Sequence, residues 1–192
     1  MNLIKNNRGV SVLELLVSIA LFSFLMLSSI QIFKMVVDGQ RSSISAQNVQ
    51  ENMRYAMEKI GKEIRTAWIS DHDCEAMFSP PAPTAVYKIF NTVDDGSKLY
   101  FKNQYGYCAV YYLENNRLKI MTDSAAGFVS GFITPEKIEI SNLKFYIVDD
   151  LIGAFHSTQP YVVIAMDVEA TGQAIHKQKM KIQITVSSRY YE

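Results

Sequence analysis

The chain has 192 residues, 48% of them hydrophobic, with nineteen basic and nineteen acidic side chains and a formal net charge of zero. That length allows one domain of ordinary size beside a separate segment, and the balance lacks the clustered basic excess that a nucleic-acid surface needs. Three scattered histidines, His72, His156 and His176, and two cysteines do not make the paired clusters of a zinc site.

The chain opens on a short basic head containing Lys5 and Arg8 and no acid. Residues 15–33 carry no charge, and Gln31 is their strongly polar side chain. A helix over residues 10–33 is about 36 Å long, enough for a hydrocarbon core near 30 Å. The apolar run exceeds the core of an ordinary secretory signal and ends without a small-residue cleavage site. Lys5 and Arg8 ahead of the span predict an N-terminus inside the cytoplasm and an exported remainder. Glu14 stands at the mouth of this span, and a carboxylate within a bilayer costs roughly 2.5–3.5 kcal/mol at mid-depth. At about 6 Å along the helix from residue 10, it either snorkels to the headgroups or is paired with a cation.

The segment Arg8-Gly9-Val10-Ser11-Val12-Leu13-Glu14-Leu15-Leu16 resembles the type III signal of type IV pilins and pseudopilins. In that family a prepilin peptidase cuts after the glycine and the new N-terminal residue is methylated. The resemblance implies cleavage after Gly9, a mature methylated N-terminus at Val10, and an assembly role for Glu14, paired with the freed α-ammonium of a neighbouring subunit. Val10 departs from the phenylalanine more usual there. An uncleaved single-pass anchor has the same topology and differs only in retaining residues 1–9. The resemblance thus divides the chain into a cleaved leader at 1–9, a transmembrane and assembly half-helix at 10–37, and an exported globular domain at 38–192. Loss of Lys5 and Arg8 leaves 17 basic against 19 acidic residues.

The stretch 38–43 contains Gly39, which costs about 1 kcal/mol relative to Ala in a helix interior, so a kink or frayed turn is expected there. Beyond it Val49, Met53, Met57, Ile60, Ile64 and Trp68, with Ala56 and Ala67, follow a helical period. Charged residues take the other faces, and Glu58 and Lys62 stand in the favourable order four apart. An amphipathic helix to about residue 69, its stripe covering a sheet, is predicted. Residues 70–84 form a loop, since Pro80, Pro81 and Pro83 forbid helix interior and central strand.

Strands are predicted over 86–93, 98–102, 107–113 and 117–122, with turns at Asp94-Asp95-Gly96 and Glu114-Asn115-Asn116. Residues 123–135 are expected to be loose, followed by strands over 137–148, 161–170 and 175–188. The alternation of Met180, Ile182, Ile184 and Val186 with Lys179, Lys181, Gln183 and Thr185 indicates one buried face. The fold class is α+β: a long N-terminal helix laid across an antiparallel sheet, which matches the pilin-like fold the signal implies.

Cys74 and Cys108 both fall in the exported part, where an oxidising compartment favours a disulfide closing about 35 residues; two buried free thiols are the alternative. Tyr105, Tyr107, Tyr111 and Tyr112 lie on or near one strand and suit cross-strand packing or a partner surface. Asp71-His72-Asp73-Cys74 offers metal-capable groups that cannot all face one ion, and His156-Ser157 lacks an acid or oxyanion element. No cofactor, metal or catalytic residue is assigned, and the chain is not an enzyme on this reading.

Residues 52–65 resemble the helix after the anchor in minor pilins of the PilW type and J-type pseudopilins, and residues 184–189 their closing strand. Major pilins usually carry a helix-breaking Gly and Pro at the places held here by Ser23 and Gln31, so the resemblance points to a minor subunit. Its implied role is to initiate or cap a type IV pilus-like filament serving as a pilus, in type II secretion or in DNA uptake. The implied partners are the prepilin peptidase, other minor and major pilins or pseudopilins, an inner-membrane assembly platform and the lipid bilayer. The competing function is a pilus-tip adhesin or ligand-binding domain on the same anchor, using the loops at 70–84 and 123–135.

Overall fold

The structure is a computed structural model and describes residues 9–69, 74, 89–93, 95–125, 127–148, 151–152, 155–156, 159–171 and 178–189. The chain forms two compact units, Met1–Ser43 and Ile44–Glu192. Helix α1, Val12–Arg65, contributes to both. Helical hydrogen bonding runs unbroken through residues 38–43, where Ser43 Oγ donates to Gly39 O at 3.1 Å. The frayed turn expected at Gly39 is therefore not seen.

In the C-terminal unit α1 buries Val49, Met53, Ala56, Ile60, Gly61 and Ile64, one face of the 3.6-residue period. The helix stops at Arg65, four residues short of the expected end. Thr66 and Ala67 donate to Glu63 O and Ile64 O at 3.2 Å, the tight final turn of many helices, and Arg189 N donates to Arg65 O at 2.9 Å. Trp68 leaves the stripe: its amide donates to Lys102 O at 2.8 Å and its side chain is exposed, because the backbone there is extended rather than helical. Arg54, not Lys62, pairs with Glu58, at 2.9 Å on the exposed face.

Among the described residues ten strands follow: β1 Phe90–Val93, β2 Lys98–Lys102, β3 Cys108–Glu114, β4 Arg117–Ser124, β5 Gly127–Phe132, β6 Ile138–Val148, β7 Leu151–Ile152, β8 Phe155–His156, β9 Tyr161–Ala170 and β10 Lys179–Ser187. The architecture is α+β, with antiparallel sheets ordered β1-β2-β3-β4-β5 and β10-β9-β6 and a small β7-β8 pair. Two principal sheets thus stand where one was expected. Most of the described part of 123–135 is strand rather than loose: β4 extends through Ser124 and β5 pairs with it from Lys119↔Phe132 to Ser124↔Gly127. His156 lies in β8, paired with Leu151.

Side-chain type fixes the connections. Asn115 and Asn116 have φ of 52° and 57° and form the two-residue β3–β4 turn, a conformation asparagine tolerates. Gly96, at φ 80°, sits in the β1–β2 turn against β6, where an added Cβ would meet Phe145 O at 2.8 Å. Phe145 N donates to Gly96 O at 2.7 Å and Ile140 N to Asn116 O at 2.7 Å, so turns of the first sheet cover the free edge of the second. A bulge between Ser141 and Lys144, with Asn142 at φ 52°, bends β6 at that contact.

A single apolar core joins the α1 stripe to both principal sheets through Leu99, Tyr111, Leu118, Ile140, Ile164 and Val186. β9 alternates strictly, burying Val162, Ile164, Met166, Val168 and Ala170. β3 is buried on both faces from Cys108 to Tyr111. Ala109 and Tyr111 face the helix-side core, while Cys108 and Val110 pack with Cys74 and Tyr100 in a second cluster. Cys74 and Cys108 are joined by a disulfide with a Cα–Cα distance of 5.5 Å.

Candidate processing and assembly site

Gly9, Val10 and Ser11 are exposed and precede the first helical turn, and nothing lies within 4 Å of the Cβ position of Gly9. Helix starts favour a serine at the flanking position; here Ser11 O accepts the first helical hydrogen bond, from Leu15 N at 3.1 Å. Unwound, exposed backbone is what a peptidase can thread into its site, since a helical bond hides its carbonyl in the hydrogen-bond ladder. The Gly9–Val10 bond meets that requirement. Lys5 and Arg8 lie outside the described residues.

Glu14 falls within the first turn of α1, where unpaired amides and the helix dipole favour a carboxylate. An α-ammonium created at Val10 would add a full positive charge at that same end. Below Glu14 the apolar side chains from Leu15 to Val36, including Phe22, Phe24 and Phe33, are more than 45% exposed. Among the described residues α1 is the one helix long and apolar enough to cross a membrane, and none of its apolar window is buried.

The serines in this span are satisfied locally. Ser18, Ser23, Ser28 and Ser29 donate to the carbonyls of Glu14, Ile19, Phe24 and Leu25 at 2.8–3.0 Å. Such back-bonding leaves the hydroxyls without an unmet donor in a medium that offers no water. The i, i+4 relation to a carbonyl is present for any helical serine, so this role was available from the sequence.

The remaining sequence candidates do not gather here. Tyr111 is buried and donates to Glu63 Oε2 at 2.6 Å, Tyr112 is half-buried, and Tyr105 and Tyr107 are exposed. Lys179 and Lys181, on the polar side of the last strand, are exposed on β10. Among the described residues no three His, Cys, Asp or Glu side chains group to hold a metal ion. Asp71, His72, Asp73 and His176 are outside that set.

Residues 4–30 match the family model for the prokaryotic N-terminal methylation motif. No curated protein and no solved structure matches the chain. The motif is the prepilin-type signal and supports the pilin and pseudopilin superfamily; it points to a structural subunit rather than an enzyme, processed by prepilin peptidase and assembled with other pilins. Together with the apolar helix it suggests a single-pass inner-membrane anchor.

Proposed function

We propose that the chain is a minor pilin or pseudopilin of the PilW or J-type kind, a non-enzymatic subunit that initiates or caps a type IV pilus-like filament. On this reading residues 1–9 are a leader cut after Gly9, residues 10–37 span the membrane and pack in the filament, and residues 38–192 are exported. The freed, methylated Val10 ammonium of one subunit neutralises Glu14 of the next and sets their register. An ion pair in lipid holds because the alternative is a buried, uncompensated charge.

The observation that carries the proposal is the methylation motif at 4–30, which contains an exposed, non-helical Gly9–Val10 bond and, about one turn further on, Glu14. The absence of Gly and Pro from residue 10 to residue 38 supports a minor rather than a major subunit, since this half-helix has no intrinsic point at which to melt. Purification of the native protein from its host membranes is expected to bring down at least one other subunit with a prepilin signal. Recovery of the protein with a surface ligand and no such subunit would favour the adhesin reading and contradict this one.

A further inference from the structure

Among the described residues, strand β5 is an edge that carries none of the usual protections. It lies at the end of the first sheet, and residues 125–135 contain no charge. Phe128, Val129 and Phe132 are 62%, 58% and 41% exposed. The other edges are managed: β1 is four residues long, β6 is bulged and covered by turns, and β10 carries Lys179 and Lys181.

The backbone of β5 shows which groups are open. Ile133 N donates to Leu118 O at 2.8 Å, so residue 133 faces β4. Alternation in an antiparallel ladder then turns Gly127, Val129 and Gly131 toward β4, and the N–H and C=O groups of Phe128, Ser130 and Phe132 outward. These three residues also place their side chains on one face.

We infer that β5 pairs with β5 of a second copy of this chain, antiparallel, about a two-fold axis through Ser130. In that register Ser130 faces Ser130 of the second copy, and Phe128 and Phe132 each face the other's counterpart. Every outward backbone group finds a partner, giving roughly six hydrogen bonds, two for each of the three pairs. The same register sets two aromatic cross-strand pairs around a central hydroxyl pair, both favourable combinations. The uncharged sequence puts no like charges opposite one another within the paired strands. Arg117 and Lys119 of β4 lie 4.0 and 5.3 Å from the Phe132 ring centroid and hold the ring toward β4. A different uncharged strand would also satisfy the edge; the symmetric match of Phe128 to Phe132 across Ser130 is what selects a second copy.

The test uses the full-length protein in its host membranes. The described residues hold no free cysteine, so Ser130→Cys introduces a thiol at the axis. A short bismaleimide should yield a dimer of twice the chain mass, at least tenfold more than from Gln183→Cys, an exposed position on β10. Adding Phe128→Lys should abolish the dimer, because it sets a cation beside the second copy's Phe132, Arg117 and Lys119, while leaving the Cys74–Cys108 bond closed to alkylation. Monomer alone, equal crosslinking from both positions, a product containing a different polypeptide, or a dimer that survives Phe128→Lys overturns the proposal.

Discussion

Tyr111 and Glu63 are 48 residues apart in sequence and join β3 to the amphipathic half of α1 through a 2.6 Å hydrogen bond. Burial, reinforced by the Glu63 carboxylate, pushes the Tyr111 hydroxyl well above its ordinary value of 10.0. The folded protein therefore holds that proton more tightly than the unfolded chain. The resulting stabilisation is complete below pH 10 and is lost as pH rises past it. Tyr111→Phe should cost about 1.5–3 kcal/mol at neutral pH, the range for a hydrogen bond to a charged group. Between pH 9 and 11, denaturant unfolding should show the wild type losing more stability than the variant; parallel slopes would contradict the assignment. This contact was not legible in the sequence, because neither residue is anomalous where it stands. Glu14, in contrast, is conspicuous in the sequence as a lone carboxylate beside an apolar span. We expect Glu14→Ala to leave cleavage intact and to reduce incorporation into filaments severalfold, scored by immunoblot of sheared filaments.

At the scale of elements, the helical stripe from Val49 to Ile64 followed from spacing alone, and β2 and β9 have the expected bounds. Trp68 fits the same spacing yet is exposed, since periodicity does not register where the backbone leaves the helix to pair with Lys102. β5 escaped for a different reason. Gly127-Phe128-Val129-Ser130-Gly131-Phe132 has no buried face, so it lacks the apolar–polar alternation by which a strand is recognised. The turn at Gly96 combines a positive φ with close approach to Phe145 O. Gly96→Ala should destabilise the protein by roughly 1–3 kcal/mol or more, as strained left-handed positions do, with a lowered midpoint in chemical denaturation as the check. The disulfide anchors the buried Cys74 to the start of β3. Cys74→Ser should cost on the order of 2–5 kcal/mol, and reduction of the wild type should shift its unfolding midpoint in the same direction. An unchanged midpoint on reduction would show that the crosslink contributes nothing.

For the whole molecule, the α+β class was legible because a long apolar-then-amphipathic helix followed by strands admits few other arrangements. The division into two principal sheets was not. It depends on the Gly96 and Asn116 turns meeting β6, contacts between residues distant in sequence. The proposed functional segment stands out in the sequence because its features are local: a glycine, a carboxylate five residues on and a membrane-length apolar run. On the proposed reading they lead to one event, the release of a positively charged terminus beside Glu14. N-terminal sequencing and intact mass of protein recovered from its own host test that event directly. The account predicts a chain beginning at N-methylated Val10, and a chain beginning at Met1 would contradict it.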